Sequence, residues 1–297
     1  MISEPLRLLI AESEPEDARR KRRKSVGRSS GETFEALLRH IVPNASFARV
    51  WPADGECELP GGDDLASFDG VLLTGSPIHL YEDVPETRGA VEFMRAVYDA
   101  GLPAFGSCAG LQLATVAAGG KVRAMEPRRE AGFARRIYAT AEGARHPLLA
   151  GRPPAFDAPA VHTDEVAELP DGAVLLASNA VTRVQAAEIC SGDGVFWGVQ
   201  YHPEISLFEI AGALERQADD LVEHRLAPSA GVIGTHAALL RQLHNEPERT
   251  DLLWRLGLDR EVTDPDRRSR EIANFLERLV LPTRSRRVRD GAVRVPA

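Results

Sequence analysis

Cysteine is scarce in this sequence of 297 residues, which contains only Cys57, Cys108 and Cys190. An odd number without regular spacing predicts neither a disulfide framework nor a cysteine-based metal site. We therefore expect no metal in the protein. A reduced thiol is typical of the cytoplasm, where we expect the protein to reside.

Long apolar runs are also missing. No stretch approaches the roughly 20 apolar residues that span a bilayer, and Met1–Ala11 lacks the basic and apolar regions of a secretory signal. The formal net charge of −8 gives no general attraction to nucleic acid or to an anionic membrane surface. We expect neither nucleic acid nor membrane as a partner.

Lysine is rare, and two of the three lysines lie in a basic run at residues 19–24, RRKRRK. A basic run can indicate contact with nucleic acid. This one is short, follows an acidic stretch and contains no aromatic residue. We therefore interpret Glu12–Ser30 as a solvated loop, and the alternative is a surface that docks a partner.

One cysteine has a distinctive setting. Residues 102–114, LPAFGSCAGLQLA, predict a short apolar strand, a sharp turn at Gly106 and Gly110, and a helix that ends near Ala118. Such a turn projects the Cys108 sulfur from the carboxyl edge of a sheet. It also places the sulfur at a helix N-terminus, which favours the thiolate. The alternative is a buried structural cysteine.

A nucleophilic cysteine needs a base, and one candidate follows a second predicted strand. Val195–Tyr201 is apolar and aromatic, which is typical of a buried strand, and Pro203 ends it. His202 then stands at the strand terminus, with Glu204 on the same side to orient the imidazole. The alternatives are a locally bonded histidine and a surface carboxylate. His79, His146, Cys57 and Cys190 are interpreted as surface or packing residues.

Strands alternate with helices in the first half of the chain, which predicts a mostly parallel sheet covered on both faces. Lys121–Thr140 and Ala155–Ile189 contain short strands separated by turns, and they predict a small antiparallel extension. The predicted strands of the parallel part are Leu6–Ala11, Ala45–Trp51, Val71–Thr74, 102–106 and Val195–Tyr201, and the predicted helices are Phe34–Ile41, Glu86–Ala100 and Ser206–Leu226.

A linker is predicted at Ala227–Gly231, and it divides the chain into a main domain, residues 1–227, and a helical, Arg-rich C-terminal extension, residues 228–297. Within the extension the clearest predicted helix is Arg267–Val280, and Arg284–Ala297 is expected to fray. The extension is too small to fold alone. It should pack on the main domain or on a second subunit, which would give a homo-oligomer.

Four segments together resemble the class I glutamine amidotransferase family, and most of all the amidotransferase domain of GMP synthase. Residues 106–112, GSCAGLQ, and 200–204, QYHPE, match its catalytic motifs. Residues 72–77, LLTGSP, resemble its oxyanion loop, and residues 161–166, VHTDEV, its substrate-side loop. The segments occur in the family's order within about residues 5–225. The resemblance implies a flavodoxin-like doubly wound α/β fold.

The resemblance also implies a chemistry. Cys108, His202 and Glu204 would hydrolyse the amide of glutamine through a thioester, without a metal or organic cofactor. By the same resemblance, the backbone N–H groups of Ala109 and of the Gly75–Ser76 loop would stabilise the oxyanion. Gln112 and the backbone around His162 and Thr163 would bind the α-amino and α-carboxylate groups of the substrate. For Gln112 the alternative is a helix-surface role, and for His162 a structural one.

Three departures from the family pattern bear on the substrate. Ser107 replaces an apolar residue before the cysteine, Ala109 replaces a larger residue after it, and Ser76 stands where many members have a second glycine. None removes a catalytic group. Ala109 and Ser76 can enlarge or redirect the pocket, which leaves the substrate open between glutamine and another γ-glutamyl compound.

Three functions are compatible with these residues. The sequence contains no Walker A segment and no SGGxDS pyrophosphatase loop, so the first prediction is a glutaminase that supplies ammonia to a separate synthetase partner. The alternative is a free-standing hydrolase or transferase for γ-glutamyl amines or peptides. A second alternative is a non-catalytic homologue that binds a partner.

Overall fold

The computed structural model describes residues 5–54, 59, 64–125 and 129–293. Its main sheet has nine strands in the order β2-β1-β3-β4-β11-β10-β9-β6-β7, and β5 pairs with β8 in a separate ribbon. The strands are β1 Arg7–Ala11, β2 Ser46–Val50, β3 Gly70–Leu73, β4 Pro103–Ser107, β5 Lys121–Ala124, β6 Glu130–Ala139, β7 Ala155–His162, β8 Asp164–Glu168, β9 Val174–Ser178, β10 Ala186–Ser191 and β11 Gly194–Val199.

The sheet has a parallel half and an antiparallel half. Strands β2, β1, β3, β4 and β11 are parallel to one another, and their order is the flavodoxin-like one. Strands β11, β10, β9, β6 and β7 pair antiparallel. The predicted fold class, a mostly parallel doubly wound sheet with an antiparallel extension, is confirmed.

Helices cover both faces of the parallel half, so its strands are apolar on both sides. Along β1, Leu8 and Ile10 belong to one core cluster, while Leu9 and Ala11 belong to the other. The helices are α1 Glu16–Val26, α2 Ser30–Ile41, α3 Pro85–Asp99, α4 Ala109–Ala117, α5 Leu207–Arg216, α6 Ala218–Glu223, α7 Ala230–Asn245, α8 Thr250–Leu256, α9 Arg260–Thr263, α10 Pro265–Arg268, α11 Arg270–Phe275 and α12 Leu281–Val293.

The predicted loop over Glu12–Ser30 is wrong in its central part, because Glu16–Val26 forms helix α1. Acidic residues in the first turn and basic residues in the last complement the helix dipole, and Gly27 ends the helix in a left-handed conformation. The basic run forms ion pairs with other parts of the same chain. Its ion pairs include Arg19–Asp54 at 2.7 Å, Arg22–Glu209 at 3.1 Å and Arg23–Glu32 at 2.8 Å.

Four predictions for the C-terminal part need correction. The helix predicted over Ser206–Leu226 breaks at Gln217 into α5 and α6, and α7 begins inside the predicted linker, at Ala230 with Ser229 as its N-cap. The helix predicted over Arg267–Val280 consists of α10, α11 and a π-helical turn, Leu276–Val280. Residues 281–293, expected to fray from Arg284, form α12.

Tertiary contacts explain why these C-terminal elements are ordered. Phe275 and Val280 join the core cluster beneath β1 and β4, and the Phe275 ring lies 5.7 Å from that of Phe105. Arg287 on α12 donates to the carbonyl oxygens of Phe68 and Ala100. The extension therefore packs on the main part of the chain, and the division of the chain at residue 227 stays a prediction.

Candidate active site

Cys108 occupies the turn between β4 and α4. Its φ of 52° and ψ of −111° are strained for a non-glycine residue, and its N–H donates to the Val199 carbonyl at 2.8 Å. A Cβ at Gly106 would lie 2.8 Å from the Gly110 backbone, and one at Gly110 would lie 2.7 Å from the Leu73 carbonyl oxygen. The tight packing of strand, turn and helix thus explains both glycines around the cysteine.

His202 and Glu204 follow β11 at the same edge of the sheet. The His202 Nδ1 lies 2.7 Å from Glu204 Oε1, and the His202 N–H donates to the Pro159 carbonyl at 2.7 Å. Ser107 Oγ donates to the same carboxylate oxygen at 3.0 Å. Ser107, whose hydroxyl departs from the family pattern, thus helps to hold the carboxylate that orients the imidazole.

The imidazole of His202 reaches Cys108, although 94 residues separate the two positions in the sequence. A Cβ at Gly75 would lie 2.7 Å from His202 Cε1 and 3.7 Å from Cys108 Cβ, so Gly75 packs closely against both residues. Burial by itself would lower the pKa of His202, but the charges of Glu204 and Cys108 and hydrogen bonds to both raise that pKa from 6.5 to about 10. This arrangement favours an imidazolium beside the sulfur.

The Gly75–Ser76 loop is tied to the segment that follows β1. Ser76 Oγ donates to the Ser13 carbonyl at 2.7 Å, and the Ser13 N–H donates to Thr74 Oγ1 at 3.1 Å. The Ser76 hydroxyl therefore fixes the loop. Ala109, the other predicted oxyanion residue, is buried in the first turn of α4, where backbone N–H groups have no partner within their own helix.

The predicted substrate-binding residues meet around the loop between β7 and β8. Gln112 Nε2 donates to the Asp164 carbonyl at 2.9 Å and lies 3.2 Å from Gln200 Oε1. The His162 Nδ1 lies 2.9 Å from the same Asp164 carbonyl, and Thr163 Oγ1 donates to Asp164 Oδ1 at 3.2 Å. Gln112 and His162 thus hold this loop in place beside the cysteine.

A buried carboxylate that the sequence analysis missed stands behind that loop. Glu130 Oε2 lies 2.9 Å from His162 Nε2 and accepts hydrogen bonds from Gln185 and Thr182, while Oε1 accepts one from Asn179. Burial would raise the pKa of Glu130, but these hydrogen bonds and the His162 charge lower it. In the sequence, Glu130 is covered only by the segment Lys121–Thr140, which predicts short strands and gives this residue no role.

A cavity of about 680 Å³ opens over Cys108 and His202. Its lining includes the Gly75–His79 loop, the β7–β8 loop and residues of α1, α5 and α6. His79, interpreted as a surface or packing residue, is half-exposed at this cavity, and its Nδ1 lies 2.7 Å from Asp164 Oδ2. Other lining residues that the analysis missed are Glu14, Asp17, Lys21, Arg22, Arg216 and Asp220.

Two of the other cysteine and histidine predictions can be placed. Cys190 is an exposed free thiol, and His146 packs edge-on against Trp197 with its Nε2 3.1 Å from Glu188 Oε2. Cys57 lies outside the described residues. Within residues 5–54, 59, 64–125 and 129–293, no helix is long and apolar enough to cross a bilayer.

Comparison with known proteins assigns the family. The model of the glutamine amidotransferase class-I family matches residues 32–216. A γ-glutamyl-L-1-hydroxyisopropylamide hydrolase from Pseudomonas sp is 37% identical over 292 residues, which cover 96% of this chain and 96% of that protein. A glutamine-hydrolysing GMP synthase from Leifsonia xyli subsp. xyli is 35% identical over 173 residues, which cover 58% of this chain and 30% of that protein.

A solved structure agrees with the fold. A glutamine amidotransferase from Thermotoga maritima superposes with a TM-score of 0.63 at 18% identity and covers 93% of this chain and 98% of that one. The fold and these matches define an enzyme that hydrolyses amides. The chain belongs to the class I glutamine amidotransferase family.

Proposed function

We propose that this protein is a free-standing hydrolase of γ-glutamyl amides, in which the leaving group is a small amine. The observation that carries the proposal is the match to the γ-glutamyl-L-1-hydroxyisopropylamide hydrolase, which extends over 96% of both chains and so includes the C-terminal extension. The match to the L. xyli GMP synthase covers 58% of this chain. The ammonia-supplying role with a synthetase partner stays a prediction.

The geometry around Cys108 supports a thioester route. The Cys108 thiolate attacks the γ-carbonyl carbon, and the oxyanion accepts hydrogen bonds from the Ala109 N–H and the Gly75–Ser76 loop, each worth about 3 kcal/mol. The C–N bond breaks, and the imidazolium of His202 gives its proton to the departing amine. Glu204 holds the imidazole at 2.7 Å throughout.

Hydrolysis of the thioester completes the cycle. The neutral imidazole of His202 takes a proton from a water molecule that attacks the γ-glutamyl carbonyl. The C–S bond breaks, glutamate is released, and the thiolate and imidazolium are restored. His202 makes both proton transfers of the cycle, to the amine and from the water, and the carboxylic acid formed gives its proton to solvent. A pKa of about 10 keeps the ring protonated in the resting site.

The size of the cavity supports a substrate larger than glutamine. About 680 Å³ is available beside Cys108, and the lining extends beyond the loops to residues of α1, α5 and α6. The substrate's γ-glutamyl part would lie against Gln112 and the loop of His162 and Thr163. The amine would then face α1 and the Arg216 side of the cavity.

Paired substrates test this proposal. Purified protein is assayed for glutamate release from γ-glutamyl-1-hydroxyisopropylamide and from glutamine. We expect a kcat/KM at least tenfold higher for the amide, and a loss of about 1,000-fold or more in kcat for Cys108→Ala. Cys190→Ala is the matched control, because it removes an exposed thiol. Equal turnover of glutamine, or full activity of Cys108→Ala, would contradict the proposal.

A further inference from the structure

Tyr201 stands directly before His202 in the sequence, but its side chain lies in the core. It is fully buried, and its ring packs edge-on against Phe156 at 5.8 Å. The Tyr201 hydroxyl donates to Glu271 Oε1 at 2.9 Å. Burial and the charge of Glu271 raise the pKa of Tyr201 well above 10, so the hydroxyl remains a donor.

Glu271 is itself held rigidly. Its Oε1 and Oε2 each accept a hydrogen bond of 2.7 Å from Arg152, through Nε and Nη2 respectively. The side chains of Glu271 and Arg152 are 0% and 2% exposed. A two-point contact between a guanidinium and a carboxylate leaves little freedom to either group, so Glu271 is a fixed acceptor for the Tyr201 hydroxyl.

We propose that Glu271 is a positioning residue that acts through Tyr201 to hold His202 against Cys108. The backbone of His202 is held on one side by the Pro159 carbonyl, and its ring is held by Glu204. The Tyr201–Glu271 hydrogen bond anchors the same short segment from within the core.

This inference rests on the proposed role of His202 as the base. It implies that the C-terminal extension helps to position the catalytic histidine. Glu271 lies in α11, beyond residue 216 where the family match ends. The segment that carries Tyr201 and His202 lies within the family match, and the carboxylate that would hold it comes from outside that match.

The expected effect is on turnover. A misplacement of about 1 Å at a reacting centre can cost about 100-fold in rate. Tyr201→Phe removes the hydroxyl and keeps the ring, so we expect kcat to fall about 10- to 100-fold. The KM for a γ-glutamyl amide should stay within about twofold, because the residues that line the cavity are unchanged.

Asn274→Ala is the matched control. Asn274 is buried on the same helix, and its Nδ2 donates to the carbonyl oxygens of Leu148 and Ala150 at 2.8 and 2.9 Å. The substitution removes two hydrogen bonds of α11 and leaves the contacts of Glu271 with Tyr201 and Arg152 in place. Glu271→Gln is a second test variant. The amide nitrogen of glutamine cannot accept a hydrogen bond, so one of the two hydrogen bonds from Arg152 is lost and the side chain must shift.

The experiment uses the full chain and three measurements: kcat and KM, thermal unfolding, and the pH dependence of iodoacetamide alkylation on the peptide that contains Cys108. Thermal unfolding gives the folded fraction at the assay temperature, and kcat is expressed per folded site. We expect Tyr201→Phe and Glu271→Gln to lower kcat per site and to shift the alkylation profile, while Asn274→Ala lowers only the Tm.

Two results overturn the inference: a Tyr201→Phe variant with wild-type kcat and alkylation profile, or an Asn274→Ala variant that loses kcat per site to the same degree. The alkylation needs no substrate, so it tests the positioning role even if the proposed function is wrong. A shifted profile in a protein that hydrolyses no γ-glutamyl amide contradicts the proposed substrate and supports the positioning role.

Discussion

A methyl group added at Gly75 is expected to stop turnover without unfolding the protein. The new Cβ of Gly75→Ala would lie 2.7 Å from His202 Cε1. Non-bonded carbon atoms settle about 3.5–4.0 Å apart, so the ring must retreat by roughly 1 Å. It cannot do so without stretching its 2.7 Å hydrogen bond to Glu204 or leaving Cys108.

The magnitude follows from that displacement. A shift of about 1 Å in a catalytic group can cost about 100-fold in rate, and we expect a fall of this size in kcat for a γ-glutamyl amide. The backbone of Gly75 is not in the left-handed region, and the atom that must move ends a side chain. The Tm should therefore change by less than about 3 °C.

The assay compares Gly75→Ala with Gly234→Ala, whose Cβ would have no atom within 4 Å. Gly234 lies inside α7, so alanine there should add about 0.5–1 kcal/mol of stability and leave kcat unchanged. Steady-state kinetics and thermal unfolding are measured on both variants. Wild-type kcat in folded Gly75→Ala, or a failure of that variant to fold, would refute the reasoning.

The remaining predictions concern two carboxylates. In Glu204→Gln the pKa of His202 should fall from about 10 towards 6.5. Protonation of His202 stabilises the wild type below pH 6.5, and this contribution is lost as the pH rises through 10. The difference in unfolding free energy between the wild type and Glu204→Gln, measured by urea titration, should therefore shrink between pH 6.5 and 10. A constant difference would contradict the assigned cause. Glu130→Gln weakens the contact that holds His162 and its loop, so we expect KM to rise about 3- to 10-fold with kcat within about twofold; a fall in kcat alone would be evidence against this role.

Local patterns were enough to predict the parallel half of the sheet and the turn at Cys108. The strands there are short apolar runs, and both faces of the sheet are covered, so no polar residue interrupts the signal. Gly106 and Gly110 lie within two residues of the cysteine. The turn needs both glycines because a side chain at either position would collide with the backbone of α4 or of the neighbouring strand β3.

Contacts between distant positions decided the rest. Helix α1 has no apolar stripe to reveal it, and its ion pairs reach Asp54, 35 residues away, and Glu209, 187 residues away. The Tyr201–Glu271 contact joins positions 70 residues apart. The pKa of His202 depends on burial and on the charge of Cys108, and only folding brings these to the ring.

The sequence alone predicted the chemical groups of the candidate site, because each stands in a short motif with its own local geometry. The tertiary structure decided which helices close the cavity and what holds His202 in place. Burial, charge proximity and packing arise between segments whose pairing no local pattern encodes, and these determine how the cysteine and the imidazole meet.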